Sequence, residues 1–178
     1  MTGWRPGDRR ADTESMLRVD QAGEYGATRI YAGQLAVLRA NSPDAKLIAR
    51  MAAQEQQHLN RFNALMAERR VRPTALQPVW NVAGFALGAV TALMSEKAAL
   101  ACTDAVETVI DRHYGEQLDQ LGDQDPELSA DIAEFRADEL EHRDTAREAG
   151  AAEAPGYPLL TAAIRAGCRV AIELSKRI

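Results

Sequence analysis

Apolar positions along this chain recur at helical spacing, in long blocks separated by short runs rich in Pro, Gly, Asn and Asp, and strand-like alternation is almost absent. A first helix is predicted from about Thr13 to Ala40, with Ile30, Leu35, Val37 and Leu38 apolar, ending at Asn41-Ser42-Pro43. Ser42 caps the next helix and Pro43 takes its first position, where a missing N–H costs nothing. That second helix continues through Leu47, Met51, His58, Phe62 and Leu65 to about Arg69. Val71 to Pro78 reads as a linker, a third helix follows Pro78, and a fourth runs from near Ser95 to Gly122. Asp125-Pro126 opens a fifth in the manner of Ser42-Pro43, and Gly150 suits a left-handed terminus for it. Ala154 to Pro158 forms the last linker, before a sixth helix that reaches the C-terminus.

Two of these helices stand apart. Val79 to Ser95 is 17 residues without a charge, near the lower limit for crossing a bilayer and weakened for that role by Asn81 and its small residues. A four-helix bundle already has a core, so this helix is expected to be a buried connector, to lie on a membrane surface, or to span one; a membrane-facing position over residues 79–95 is the reading preferred here. Gly84-x-x-x-Gly88 permits close helix contact. The last helix, 158–178, is amphipathic and carries Arg165, Arg169, Lys176 and Arg177, which suits packing or contact with anionic lipid.

Superimposed on the helices is a repeated arrangement of carboxylates and imidazoles. Glu24 precedes Glu55-x-x-His58 by 31 residues, and Glu107 precedes Glu139-x-x-His142 by 32, with the halves offset by 83 or 84. Positions i and i+3 project from one helical face, so each Glu-x-x-His presents a carboxylate and an imidazole to one ion, and the additional Glu from a neighbouring helix is expected to bridge two ions. One Glu from each of two helices with Glu-x-x-His from each of two more is the ligand set of ferritin-like di-iron and di-manganese carboxylate proteins. The prediction is therefore an all-α, ferritin-like four-helix bundle with an apolar crossover helix and a C-terminal amphipathic helix. A single Glu-x-x-His arises by chance in charged helices; two copies with matching upstream glutamates are far more specific. Four carboxylates with two imidazoles suit iron or manganese better than structural zinc, and a pair of redox-active ions suits dioxygen activation. Gly23, Gly26 and Ala27 around Glu24 are expected to let neighbouring helices approach, offsetting the roughly 1 kcal/mol each glycine costs a helix.

Composition narrows the class. The chain has 178 residues, enough for one domain spanning 1–178, and its net charge of −5 with a pI near 5.3 gives no electrostatic reason to expect nucleic acid. Cys102 and Cys168, far apart and outside any C-x-x-C, argue against a disulfide framework and fit a reducing compartment. The N-terminal residues lack the apolar stretch of a signal peptide, so a cytoplasmic location is expected, with flexibility over residues 1–11.

Runs around every candidate ligand resemble the demethoxyubiquinone hydroxylase family of ubiquinone biosynthesis. They include Leu17 to Ala27, Arg29 to Gln34, Arg61-Phe62-Asn63, Arg70 to Thr74, Pro78 to Ala89, Ala101-Cys102-Thr103, Ala105-Val106-Glu107, Phe135-Arg136, Glu139 to His142 and Ala166 to Ile172. The resemblance covers about residues 16 to 178. It implies a di-iron monooxygenase that uses dioxygen to hydroxylate the ring of a polyprenyl demethoxyquinone or quinol, with Glu24, Glu55, His58, Glu107, Glu139 and His142 as iron ligands. It also implies roles near the active site for His113 and Tyr114, the latter seven residues after Glu107 and so on the same helical face.

Asp20, one turn before Glu24, is a candidate acceptor for a ligand imidazole N–H. Asp104 and Asp111 flank Glu107 and are alternative ligands that the repeat disfavours. Because a polyprenyl quinone resides in the bilayer, the resemblance implies a peripheral enzyme on the cytoplasmic face of the membrane, with Trp80, Phe85, Leu87, Val90 and Leu93 contacting the substrate tail. NADH or an NADH-derived donor is the expected reductant. With no G-x-G-x-x-G between a strand and a helix, its binding residues stay unassigned, Arg18, Tyr25 and Arg29 being candidates. Accessory proteins of ubiquinone biosynthesis and a homo-oligomer are further expected partners. The rival reading is a ferritin-like ferroxidase or iron store, disfavoured by the uncharged third helix; a rubrerythrin-like peroxidase would need a cysteine-rich iron module.

Overall fold

The structure, a computed structural model, describes residues 11–178; most of the N-terminal segment expected to be flexible lies outside them. Among the described residues there are six α-helices: α1 (Thr13–Val37), α2 (Pro43–Arg69), α3 (Gln77–Met94), α4 (Glu96–Leu121), α5 (Pro126–Glu148) and α6 (Tyr157–Ser175), with a short 3-10 turn at Ala151–Glu153. Among the described residues there is no strand, and the ferritin-like bundle expected from the repeat is the architecture found.

The punctuation works largely as anticipated. Ser42, Ser95 and Asp125 each accept a backbone N–H from three residues on, capping α2, α4 and α5. Gly150 takes a left-handed conformation at φ 93°. α1 stops at Val37 rather than Ala40, because Leu38 turns to extended backbone and the Ser42 N–H closes a turn onto the Arg39 carbonyl, leaving Ser42 extended before Pro43. The 3-10 turn after Gly150 was not expected.

Two apolar layers of the core lie on either side of a polar middle, and a third cluster, of Ile30, Cys102, Ala105, Val106 and Ile164, joins α1, α4 and α6. One layer contains Tyr31, Ile48, Met51, Leu100 and Ala146; the other contains Leu17, Phe62, Leu65, Leu121, Leu128 and Ile132. Along α1 and α5 the chain passes from the second layer to the first, and along α2 and α4 from the first to the second, so α1 and α5 run opposite to α2 and α4. The candidate ligands lie midway on each helix. That topology needs a long crossover between α2 and α4, and α3 supplies it. At the second-layer end, Arg61 and Arg69 tie α2 to Asp125, Glu127 and Asp131 at the start of α5.

α3 packs on α1 at very short range. A Cβ placed on Gly88 would lie 1.9 Å from the Ile30 carbonyl oxygen, and one on Gly33 would lie 2.1 Å from that of Phe85. Gly23 and Gly26 behave differently from expectation: Gly26 has nothing within 4 Å of its Cβ position and Gly23 only Ile110 at 3.9 Å. α3 does come close to the Gly26 carbonyl oxygen, 3.0 Å from a Cβ placed on Gly84, but the tightest approach is one to two turns further along α1, where Gly88 meets Ile30 and Gly33 meets Phe85 and Ala89. The other face of α3 is uncovered, with Val79, Val82, Phe85, Val90, Leu93 and Met94 exposed, so α3 is not a buried connector. Among the described residues no helix is long and apolar enough to cross a membrane.

Candidate metal centre

The six side chains of the repeat converge between the two apolar layers, and all are buried. They form two overlapping groups whose ligand atoms lie within 4.8 Å of one another: Glu24, Glu55, His58 and Glu139, and Glu55, Glu107, Glu139 and His142. Glu55 and Glu139 belong to both groups. The shared carboxylates are thus those of the Glu-x-x-His motifs, and Glu24 and Glu107 stand at opposite ends. The lone glutamates, expected to bridge, each belong to one group alone. A motif glutamate sits on the same face as its own histidine and also faces the antiparallel ligand helix across the bundle centre.

Each imidazole turns Nδ1 toward the carboxylates. His58 Nδ1 is 3.2 Å from Glu139 and 3.5 Å from Glu24, and His142 Nδ1 is 3.1 Å from Glu55 and 3.2 Å from Glu139. The opposite nitrogens have partners outside the cluster: His58 Nε2 lies 3.0 Å from Asp138 Oδ2, and His142 Nε2 lies 3.1 Å from Gln54 Oε1. The His58 ring also stacks on Phe135, with centroids 4.1 Å apart.

Two tyrosines complete the surroundings. Tyr114 donates its hydroxyl to Glu24, and Tyr31 donates to Glu107 at 3.1 Å. Both follow a lone glutamate by seven residues, Tyr31 after Glu24 and Tyr114 after Glu107. Each serves the glutamate of the other half. Tyr114 shares Glu107's helical face as expected yet bonds across the bundle, and Tyr31 was missed although the same spacing marks it.

Without cations this cluster is electrostatically crowded. Burial, then the charge of Glu139, raises the Glu55 and Glu107 carboxyls well above the usual range, and burial raises Glu24 as well. Burial also works against ionised Glu139, but hydrogen bonds with His142 and His58 hold it at about 2. The His58 cation is opposed by burial and favoured more strongly by Glu139 and Glu24, which push it up to about 10. Burial, followed by the neighbouring carboxylates, raises the Tyr31 and Tyr114 phenols far above their ordinary value, so both remain hydrogen-bond donors. Glu24 Oε2, Glu55 Oε1 and His58 Nδ1 are buried and face the cluster, where their near polar neighbours at 3.1–3.5 Å are atoms of other candidate ligands. Buried ligand atoms turned toward a common centre and crowded against one another, in an oxygen-rich set with two imidazoles, fit a pair of divalent cations.

The remaining candidates fall elsewhere. Asp20 accepts from Gln117 at 2.8 Å and lies 3.3 Å from His113; it does not serve a ligand imidazole, a position taken by Asp138 and Gln54. His113 is turned onto Asp20 and Gln117, as its 100° offset from Tyr114 requires. Asp104, fully buried, is bound by Arg147 at 2.6 Å, by the Tyr157 hydroxyl and by Arg165 at 3.6 Å. Asp111 pairs with Arg136 and Arg143. Neither aspartate joins the ligand groups. Arg18 donates to the Arg72 carbonyl, and the Arg29 guanidinium lies 5.4 Å over the Phe85 ring, so both are engaged in packing α3 and its linker.

Beside the cluster lies an apolar, outward-opening cavity of about 540 Å³ lined by α1, α3, α4 and α6. Gly23 and Val106, the neighbours of Glu24 and Glu107, form part of its wall. The absence of side chains at Gly23 and Gly26 is what leaves this space open. Trp80 and Leu87 line it, and the Trp80 indole N–H is held by Ser175 at 3.1 Å. Phe85, Val90 and Leu93 do not line it; helical rotation places them on the outer face of α3.

Comparison with known proteins supplies the relationship. The chain is 55% identical over 165 residues to the 3-demethoxyubiquinol 3-hydroxylase of Rhodospirillum rubrum, spanning 93% of this chain and 78% of that protein. It is 51% identical over 173 residues to the NADPH-dependent 3-demethoxyubiquinone 3-hydroxylase, mitochondrial, of Homo sapiens, spanning 95% and 79%. With the 5-demethoxyubiquinone hydroxylase, mitochondrial, of Saccharomyces cerevisiae the identity is 45% over 181 residues, spanning 93% and 78%. Residues 11–175, which include every ligand candidate, match the profile of the family described as ubiquinone biosynthesis protein COQ7, and the chain belongs to that family.

Proposed function

We propose that this protein is a di-iron monooxygenase that uses dioxygen to hydroxylate the ring of a polyprenyl demethoxyubiquinol or demethoxyubiquinone, a step of ubiquinone biosynthesis. The observation that carries the reading is the placement of two overlapping ligand groups directly behind the wall of an apolar cavity, in a chain with named hydroxylases as relatives. Glu24, Glu55, His58 and Glu139 would hold one iron, and Glu55, Glu107, Glu139 and His142 the other. Bound there, the irons would supply dioxygen activation: one oxygen atom enters the ring as hydroxyl and the other leaves as water, with two electrons and two protons from a donor.

The chain's own residues prepare this chemistry. Tyr114 and Tyr31 fix Glu24 and Glu107 by hydrogen bonds, and Asp138 and Gln54 fix the imidazole planes. The apolar cavity would receive the quinone with its ring toward the Gly23 and Val106 wall, where a bound substrate would displace water. For His113, which is held by Asp20 and Gln117 beside Tyr114, a part in proton transfer or substrate contact is proposed. The uncovered faces of α3 and α6, with Leu159, Val170 and Leu174 exposed on the latter, suit a peripheral position on the cytoplasmic face of a membrane, where the polyprenyl tail is available. The same faces suit accessory proteins or a second copy of the chain. For the reductant, the names of the mammalian relatives specify NADPH, and a reduced nicotinamide nucleotide is proposed here in place of NADH specifically. An iron store would use a similar ligand set but has no use for the adjoining apolar cavity.

Glu55→Ala and Glu139→Ala each remove a carboxylate shared by both groups. Both variants are expected to lose bound iron and quinone hydroxylation while keeping their helical circular dichroism. Retained turnover in either refutes the assignment.

A further inference from the structure

The surroundings of the two imidazoles follow a reciprocal rule. The residue just before each Glu-x-x-His glutamate, Gln54 on α2 and Asp138 on α5, reaches across the bundle to the histidine of the other helix. The tyrosine contacts obey the same exchange and match in kind, with one phenol on each lone glutamate. The contacts to the imidazoles match in position and differ in charge. His58 Nε2 meets a carboxylate at 3.0 Å, and His142 Nε2 meets a neutral side-chain amide at 3.1 Å.

From this difference we infer that the two cation positions are inequivalent, and that the His58 position, backed by Asp138, takes the first and more tightly held divalent ion. The inference rests on the reading of the cluster as a two-cation centre. An imidazole that donates Nε2–H to a carboxylate makes a charge-assisted bond, which fixes the ring orientation and makes Nδ1 a stronger donor. Asp138 also contributes a negative charge on the far side of the ring. Its side chain is 28% exposed, so solvent screens part of that charge without removing the hydrogen bond. Gln54 orients His142 equally well and adds no charge. Glu55 and Glu139 are common to both positions, and each position has one further glutamate with one tyrosine. These contributions match in kind; the Phe135 ring stacked on His58 has no counterpart at His142 but carries no charge, which leaves the imidazole backing as the charged contribution that differs. Residues behind metal-bound histidines typically change affinity by about 10- to 100-fold, so a gap of about tenfold between the two steps is expected.

Anaerobic titration of the metal-free full chain with Mn²⁺, followed by calorimetry and by electron paramagnetic resonance, reads both steps independently of turnover. The wild type is expected to bind two ions with affinities about tenfold apart. Asp138→Asn should weaken the tighter step by about 10- to 100-fold and leave the other nearly unchanged. Gln54→Glu should tighten the looser step and narrow the gap from the other side. If Asp138→Asn does not fold, as judged by circular dichroism, Gln54→Glu decides alone. Two ions of equal affinity in the wild type, an Asp138→Asn effect shared equally by both steps, or a Gln54→Glu effect on the tighter step would overturn the inequivalence while leaving the two-cation centre intact. No bound Mn²⁺ in the wild type would remove the centre itself.

Discussion

Gly88→Ala tests whether α3 is held against α1 at the distance that shapes the cavity. The new methyl would lie 1.9 Å from the Ile30 carbonyl oxygen, 2.8 Å from the Ile30 carbonyl carbon and 3.0 Å from the Gln34 nitrogen. All three are backbone atoms of α1, so no side chain can swing aside. Ordinary contact begins at 3.4 Å, so the helices must separate by about 1.5 Å along that line. Overpacking of this kind costs about 1–3 kcal/mol, sometimes more, and the helix-propensity gain over glycine returns about 1 kcal/mol. Because the displaced atoms are all backbone the upper end of that cost applies, and a net loss of about 2 kcal/mol is expected, or more if α3 cannot shift as a unit. Gly26→Ala is the control on the same helix pair, because its Cβ meets nothing within 4 Å. It should stabilise by up to about 1 kcal/mol. Urea unfolding of the metal-free proteins gives both values. Because Trp80 and Leu87 travel with α3, Gly88→Ala should also raise the quinone KM with iron content unchanged. A Gly88→Ala protein as stable as wild type, or a Gly26→Ala protein equally destabilised, would refute the close-packing account.

Further outcomes follow from the same geometry. Leu87→Trp should fill part of the cavity and raise KM for a short-tailed quinone without lowering bound iron, whereas Leu93→Ala, on the outer face, should leave that KM unchanged in steady-state kinetics. Asp104→Ala should cost about 1.5–3 kcal/mol in chemical denaturation, through the loss of hydrogen bonds from Arg147 and Tyr157, yet retain iron, as befits a carboxylate outside the ligand groups. The melting temperature of the metal-free protein should fall as pH rises from about 6 to about 9. Raised carboxyls at Glu24, Glu55 and Glu107 contribute stability that is complete below the ordinary value of 4.5 and is lost as pH rises through their folded values. His58 acts in the same direction, its contribution complete below 6.5 and lost through about 10, while Glu139, held at about 2, is already ionised throughout. Mn²⁺ should therefore stabilise more at the higher pH, since binding displaces these protons, and a melting temperature that does not change with pH would contradict the crowded-carboxylate description.

Which parts of this could be read from the sequence follows from what a spacing reports. Ser42-Pro43 and Asp125-Pro126 act locally, so they locate the starts of α2 and α5 to the residue, whereas α5 ends at Glu148, short of Gly150. Glu-x-x-His spacing reports which side chains share a helical face, and together with the repeat it gathered all six ligand candidates. It does not report what faces them across the bundle. For that reason Asp20 was read as the imidazole partner although Asp138 and Gln54 hold that position, and the lone glutamates were read as bridging although Glu55 and Glu139 are shared. The signals were present: Gln54 and Asp138 stand one residue before equivalent glutamates, and Tyr31 stands where Tyr114 does in the repeat. Reading them required knowing that each half serves the other. The glycines of α1 show the same limit, since closeness at Gly33 and open space at Gly26 depend on where α3 crosses.

The most direct measurement is the fate of labelled dioxygen. The iron-loaded protein, supplied with a reduced nicotinamide nucleotide and a short-tailed demethoxyubiquinol, is expected to give a ring-hydroxylated product carrying one labelled oxygen atom, in proportion to bound iron. Iron uptake and oxidation with no labelled hydroxyl in the quinone would contradict the account and return the six ligands to iron handling alone.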